Sequence, residues 1–146
     1  MKIIIDADGC PVVRIALECA INHNVEAIIV CDCAHHFDYP GVQTVTVTKG
    51  ADSADFRIVN MIHPEDVVVT QDYGLAAMCL ARRAVVISQN GLIYTDDNID
   101  SMLLARHTAR KIRNAGGRLK GPSKRTKEQD AAFKKTLTNL LSLHST

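Results

Sequence analysis

The sequence predicts an α/β domain: a mostly parallel sheet with helices on both faces. Three observations carry that expectation. Short β-branched apolar runs, long enough for buried strands and too brief for helices, recur along the first half of the chain. Between them lie segments whose apolar residues repeat at helical spacing, and such alternation implies crossover connections and a parallel sheet. The 146 residues, 47% of them hydrophobic, suffice for a single core without disulfides. Aromatics are only 4% and Trp is absent, so Val, Ile, Leu and Ala must fill that core.

The elements follow in order. Lys2–Asp6 reads as a buried strand that ends at Asp6-Ala7-Asp8-Gly9-Cys10-Pro11. Pro11 suits the first turn of a helix, and Val12, Val13, Ala16, Leu17 and Ala20 continue it until Asn22-His23-Asn24. Residues 25–30 form a second strand, and after the polar stretch 32–41 Val42, Val45 and Val47 suggest a third over 42–48. Gly50-Ala51-Asp52-Ser53 is a turn and cap for a helix carrying Phe56, Ile58, Val59, Met61 and Ile62, which His63-Pro64 stops. Val67–Val69 is the fourth strand, and Thr70-Gln71-Asp72-Tyr73-Gly74 opens a short helix over 75–81.

Residues 85–88 and 92–95 read as a hairpin, since the intervening Asn90-Gly91 favours a tight turn. A helix over 98–112 is expected to take Asp96 and Asp97 as its caps. Residues 113–123 form a Gly/Lys/Arg loop, and a last amphipathic helix covers about 126–143. The chain thus divides into an α/β domain, 1–112, and a basic loop and helix, 113–146, packing on that same domain.

No apolar run approaches the roughly 20 residues of a membrane span. Asp6 would interrupt the apolar centre of a secretion signal, so the expected location is the cytoplasm, with no membrane partner. Five cysteines, Cys10, Cys19, Cys31, Cys33 and Cys79, then read as thiols. The net charge of +1 hides a division. Residues 1–105 hold six Lys/Arg against fourteen Asp/Glu, whereas residues 106–135 hold eleven against two. A basic arm of this kind either meets a polyanion or folds back on the acidic body.

In an open parallel sheet, ligands collect beyond the carboxyl ends of the strands. Asp6 and Asp8 lie just past the first strand and Asp72 just past the fourth. Asp52 and Asp55, three apart at a helix start, share one helical face. If the first and fourth strands are neighbours, all five carboxylates can converge. Such a cluster repels itself unless a cation lies within it, and hard oxygen donors suit Mg²⁺ or Mn²⁺. A bound ion of this type activates water and stabilises a phosphodiester transition state. The competing role for Asp52, Asp55 and Asp72 is to cap helices.

Four segments in order, DADGCPV (6–12), GADSADFRIV (50–59), TQDYGLA (70–76) and GGRLKGPSKRTKEQDAAF (116–133), resemble the YaiI/YqxD family of small bacterial proteins. The likeness runs nearly end to end. Gly9 stands where that family usually carries Ala, which leaves the carboxylates untouched. The family is placed near the PIN-like nucleases. That resemblance implies a three-layer α/β/α sandwich whose acidic cluster holds Mg²⁺ or Mn²⁺ for RNA cleavage. On this reading Asp6 corresponds to the acid after the first strand and Asp72 to the acid after the fourth. Asp52 or Asp55 corresponds to the acid on the intervening helix, and Asp8 belongs to the narrower family's own motif.

The basic region supplies candidate phosphate contacts in Arg113, Arg118, Lys120, Lys124 and Arg125, set around Gly116, Gly117 and Gly121. Phe133 is the only aromatic residue after Tyr94, so this arm offers no platform for stacking bases. Cys31-Asp32-Cys33-Ala34-His35-His36 has the wrong Cys spacing for structural zinc and lacks a second ligand pair. Cys10, at a helix start, reads as a core residue rather than a nucleophile. IIIDADGCP also resembles the signature of haloacid-dehalogenase-like phosphatases, in which Asp6 would be the nucleophile. Against that, Cys10 replaces the usual Thr, and the later motifs are poorly met. The expected activity is therefore metal-dependent RNA cleavage by Asp6, Asp8 and Asp72. Alternatives are a nucleic-acid-binding module without chemistry and the phosphatase.

Overall fold

A computed structural model describes residues 1–32, 39, 41–48, 53–117 and 124–144, the side chains of Ser53 and His144 aside. Its strands are β1 (Lys2–Asp6), β2 (Glu26–Asp32), β3 (Gln43–Val47), β4 (Val67–Val69) and β5 (Val85–Ile87). They form one sheet in the order β3-β2-β1-β4-β5, with every pairing parallel. The helices are α1 (Val13–Asn22), α2 (Ser53–Met61), α3 (Tyr73–Ala81), α4 (Asp96–Asn114) and α5 (Lys127–His144).

Strand alternation builds the layers. Ile3, Ile5, Ile29, Cys31, Val67 and Val69 point to one face, where α1 and α5 cover them. Ile4, Ile28, Val30, Val68 and Val86 point to the other, under α2, α3 and α4. The result is a three-layer α/β/α sandwich in which both sheet faces are buried, so the strands read as continuous apolar runs. Phe133, Leu137 and Leu141 recur every four residues on α5 and are fully buried, which makes α5 part of the core. Among the described residues, no helix is long and apolar enough to cross a membrane.

Two expectations fail locally. Residues 92–95 form no second hairpin strand; Ile93 makes a single antiparallel bridge to Ile87. The turn itself is present, with Ser88 N donating to Leu92 O at 2.8 Å. At Gly91, φ is +83° and a Cβ would lie 2.6 Å from Ala132 O on α5. The chain then leaves the sheet because Tyr94 turns inward, donating through its hydroxyl to Thr70 O at 3.3 Å. Asp96 and Asp97 do not cap α4, although both lie in its first turn. Thr95 does: its hydroxyl accepts from Asn98 N at 3.1 Å while Asn98 Oδ1 accepts from Thr95 N at 2.8 Å.

Candidate active site at the carboxyl ends of the central strands

After β1 the chain moves outward through β2 and β3, then returns to lay β4 on the other side of β1. Connections therefore diverge at the carboxyl ends of β1 and β4, where open α/β sheets bind their ligands. The alternation that buries Ile3 and Ile5 together sends Ile4 and Asp6 to the opposite side, and Asp8, in the turn that follows, lines the same cleft as Asp6. Ala7 N donates to Val30 O at 3.0 Å, extending the ladder by one residue, and Cys10 N closes a turn on Ala7 O. Gly9 takes φ +70° in that turn, a conformation costly for side-chain-bearing residues.

A hydrogen-bonded chain links the carboxylates. Thr70, buried at the end of β4, donates its hydroxyl to Asp6 Oδ2 at 2.8 Å and accepts from Asp72 N at 3.0 Å. Asp72 Oδ1 accepts from Leu75 N at 3.1 Å and so caps α3. Asp8 Oδ2 accepts from Asp32 N at 2.9 Å, tying the end of β1 to the end of β2. Burial pushes the Asp6 carboxyl up to about 6; the Thr70 bond opposes this, and the charges of Asp72 and Asp8 add to it.

Asp6, Asp8, Asp55 and Asp72 line one cleft of about 500 Å³, with Cys10 at its side and Arg106 at its rim. Arg106 Nη1 stands 3.9 Å from Asp72 Oδ1, and both side chains are partly exposed. Gln71 reaches across the mouth to accept from Gln89 N at 2.8 Å. Burial holds the Cys10 thiol above its ordinary value, which disfavours the thiolate a nucleophile needs. Among the described residues, no three His, Cys, Asp or Glu side chains are grouped closely enough to hold a metal ion by themselves.

Of the acids singled out by sequence, the cleft joins Asp6, Asp8, Asp55 and Asp72. Asp52 lies outside the described residues, as do Arg118 and Lys120 of the basic loop and Cys33, His35 and His36. Arg113 and Lys124 are exposed and do not line the cleft. Arg125 is committed to the protein: it donates to Asp130 Oδ1 at 2.6 Å, Asn90 Oδ1 at 2.7 Å and Gln89 O at 2.6 Å. Thr70, Gln71 and Arg106 escaped the sequence reading. Thr70 and Gln71 sat inside a quoted motif, but nothing local to Arg106 signals that α4 packs on α3 beside the cleft.

The sequence profile of the YaiI/YqxD family, described as uncharacterised, matches residues 4–143. A UPF0178 protein of Exiguobacterium sibiricum is 51% identical over 141 residues, covering 97% of this chain and 96% of the relative. One from Ruminiclostridium cellulolyticum is 47% identical over 137 residues, covering 94% and 90%. Among solved structures, Rae1 (YacP) from Bacillus subtilis aligns over 99% of both chains with a TM-score of 0.49 and 17% identity. By its match over nearly the whole length, the chain belongs to the YaiI/YqxD family.

Proposed function

We propose that the chain is a metal-assisted phosphodiesterase acting on RNA, with its chemistry at the carboxyl ends of β1 and β4. One observation carries this reading. Asp6, Asp8 and Asp72 line one cleft at the sheet's switch point, and burial, with a smaller addition from the charges of Asp72 and Asp8, raises Asp6 to about 6. A structural carboxylate gains little from such surroundings, whereas a cation among the three would reverse the cost.

Carboxylate oxygens are the hard donors that Mg²⁺ and Mn²⁺ prefer, and substrate phosphate oxygens would have to complete the set. Mg²⁺ keeps several waters and is held by one or two carboxylates together with substrate phosphate oxygens, so it does not require a closed protein cage. Asp6, Asp8 and Asp72 would hold the ion, with Asp55 supporting them from the first turn of α2. When bound, such an ion supplies charge stabilisation at the phosphoryl oxygens and lowers the pKa of a bound water. Thr70 orients Asp6 by its 2.8 Å bond. Arg106 is the cleft's own phosphate contact, and the exposed Arg113 and Lys124 are further candidate contacts for the substrate backbone.

Calorimetric titration with Mn²⁺ and Mg²⁺ tests the reading, using the wild type and the Asp6→Ala/Asp72→Ala variant, each checked by circular dichroism. Binding that disappears in the variant, with metal-dependent cleavage of labelled RNA disappearing alongside, is the expected result. Cleavage that persists in the folded variant would exclude this cleft as the active site.

A further inference from the structure

The cleft does not end at the carboxylates. It continues into a hollow of about 360 Å³ between α2 and α3, walled by Asp55, Phe56, Asp72, Gly74, Met78 and Arg106. Asp55, Asp72 and Arg106 belong to both spaces. The volume lies within the roughly 300–1,000 Å³ of small-molecule sites. Phe56 is 62% exposed and Met78 38%. The core contacts of α2 are met without Phe56, because Ile58 and Ile62 are buried. Gly74 keeps the wall open beside Asp72, where even a Cβ would stand 3.3 Å from Oδ1.

Phe56 and Met78 line only the hollow, Arg106, Asp55 and Asp72 line both spaces, and Asp6 and Asp8 line only the cleft. A nucleotide presents its parts in the matching order, an apolar planar base followed by a phosphate. We infer that the hollow receives an unstacked nucleobase of a single-stranded substrate, which lies against Phe56 and Met78 while its phosphate sits at Arg106. The phosphate end rests on the phosphodiesterase reading; the base end rests on the two exposed apolar side chains. Every base has a π-face, so stacking on Phe56 is tolerant of sequence, and the polarizable sulfur of Met78 adds contact. A base held in a duplex would have to leave its stack first, which selects single strands.

Two small probes separate the ends of this site. AMP and ribose 5-phosphate carry the same phosphate, and only AMP carries a base. Each is titrated in Mg²⁺ against wild type, Phe56→Leu, Phe56→Trp and Asp6→Ala/Asp72→Ala, following the Met78 methyl signal by NMR. AMP is expected to shift that signal and to bind about tenfold more tightly than ribose 5-phosphate. Phe56→Leu, which keeps apolar bulk without the ring, should erase the preference, and Phe56→Trp should restore it. Equal affinity of both probes for the wild type overturns the base site and leaves the carboxylate cleft standing. A preference that survives Phe56→Leu also overturns it. AMP binding lost in Phe56→Leu but untouched in Asp6→Ala/Asp72→Ala supports the base site and counts against the metal cleft. No binding of either probe overturns both.

Discussion

The two ends of β1 and β4 place the same residue type in opposite circumstances. At the amino ends Asp66 is almost fully buried and accepts from Lys2 N at 3.0 Å, His63 N at 2.8 Å and Lys2 Nζ at 2.7 Å. Burial alone would raise its carboxyl, but these donors and the Lys2 charge hold it below the ordinary value. At the carboxyl ends Asp6 also suffers burial, but its strand-end neighbours are acids, and it is pushed up to about 6. Burial is common to both, so the partners decide the outcome. One end has closed its electrostatics within the protein. The other carries a cost that an external cation would remove, as the proposed function requires.

Breaking the amino end should have the largest effect on stability. Asp66→Ala leaves Lys2 largely buried without its counter-charge and should cost about 3 kcal/mol or more in urea unfolding at pH 7. Metal affinity at the far end should not change. A loss under about 1 kcal/mol would mean the pair does not anchor the sheet.

The carboxyl end should respond with the opposite sign. Asp6 is raised from 3.8 to about 6, and each pKa unit corresponds to about 1.4 kcal/mol. Asp6→Asn keeps an acceptor for Thr70 and should stabilise the metal-free protein by about 3 kcal/mol at pH 8 while abolishing stabilisation by Mn²⁺. A destabilised variant would contradict the burial cost assigned to Asp6.

The pH profile follows from the same two groups. A raised native pKa means the folded chain binds the Asp6 proton more tightly than the unfolded chain does. The metal-free protein should therefore gain stability as pH falls from about 6 toward 4. Asp66 works the other way, since its contribution is complete above its ordinary value of 3.8 and is lost as pH falls below it. Urea midpoints measured from pH 3 to 8 should thus peak in mildly acidic solution. Asp6→Asn should flatten the upper limb, and Asp66→Ala the acid limb. A wild-type profile unchanged by Asp6→Asn would refute the assignment.

Arg106→Ala should have the smallest effect on stability, under about 0.5 kcal/mol, because its pair with Asp72 is long and half exposed. Its effect on RNA should be measurable nonetheless: weaker binding, and a salt dependence flattened by about one unit for the lost phosphate contact. An unchanged slope would place the phosphates elsewhere.

Much of this was legible because it is encoded over a few residues. Short continuous apolar runs marked β1 and β4 at their observed bounds, and the two acids at the end of the first run pointed to Asp6 and Asp8. The Thr95–Asn98 capping box was equally local, but the acids beside it drew the reading to Asp96 and Asp97. Which side of α2 faces the core was not legible in this way. Periodicity finds an apolar stripe but not how far around the helix the core extends, and α2 turns Ile58 inward while leaving Phe56 in water.

By itself, then, the sequence determined the alternating elements, the buried strands and the pair of acids that end β1. Only tertiary structure decided that β4 lies beside β1, that Arg106 reaches Asp72 across 34 positions of sequence, and that Phe56 opens onto the cleft. The physical reason is range. Local periodicity follows from backbone geometry within a few residues, whereas strand order and helix rotation are set by packing between segments far apart in the chain.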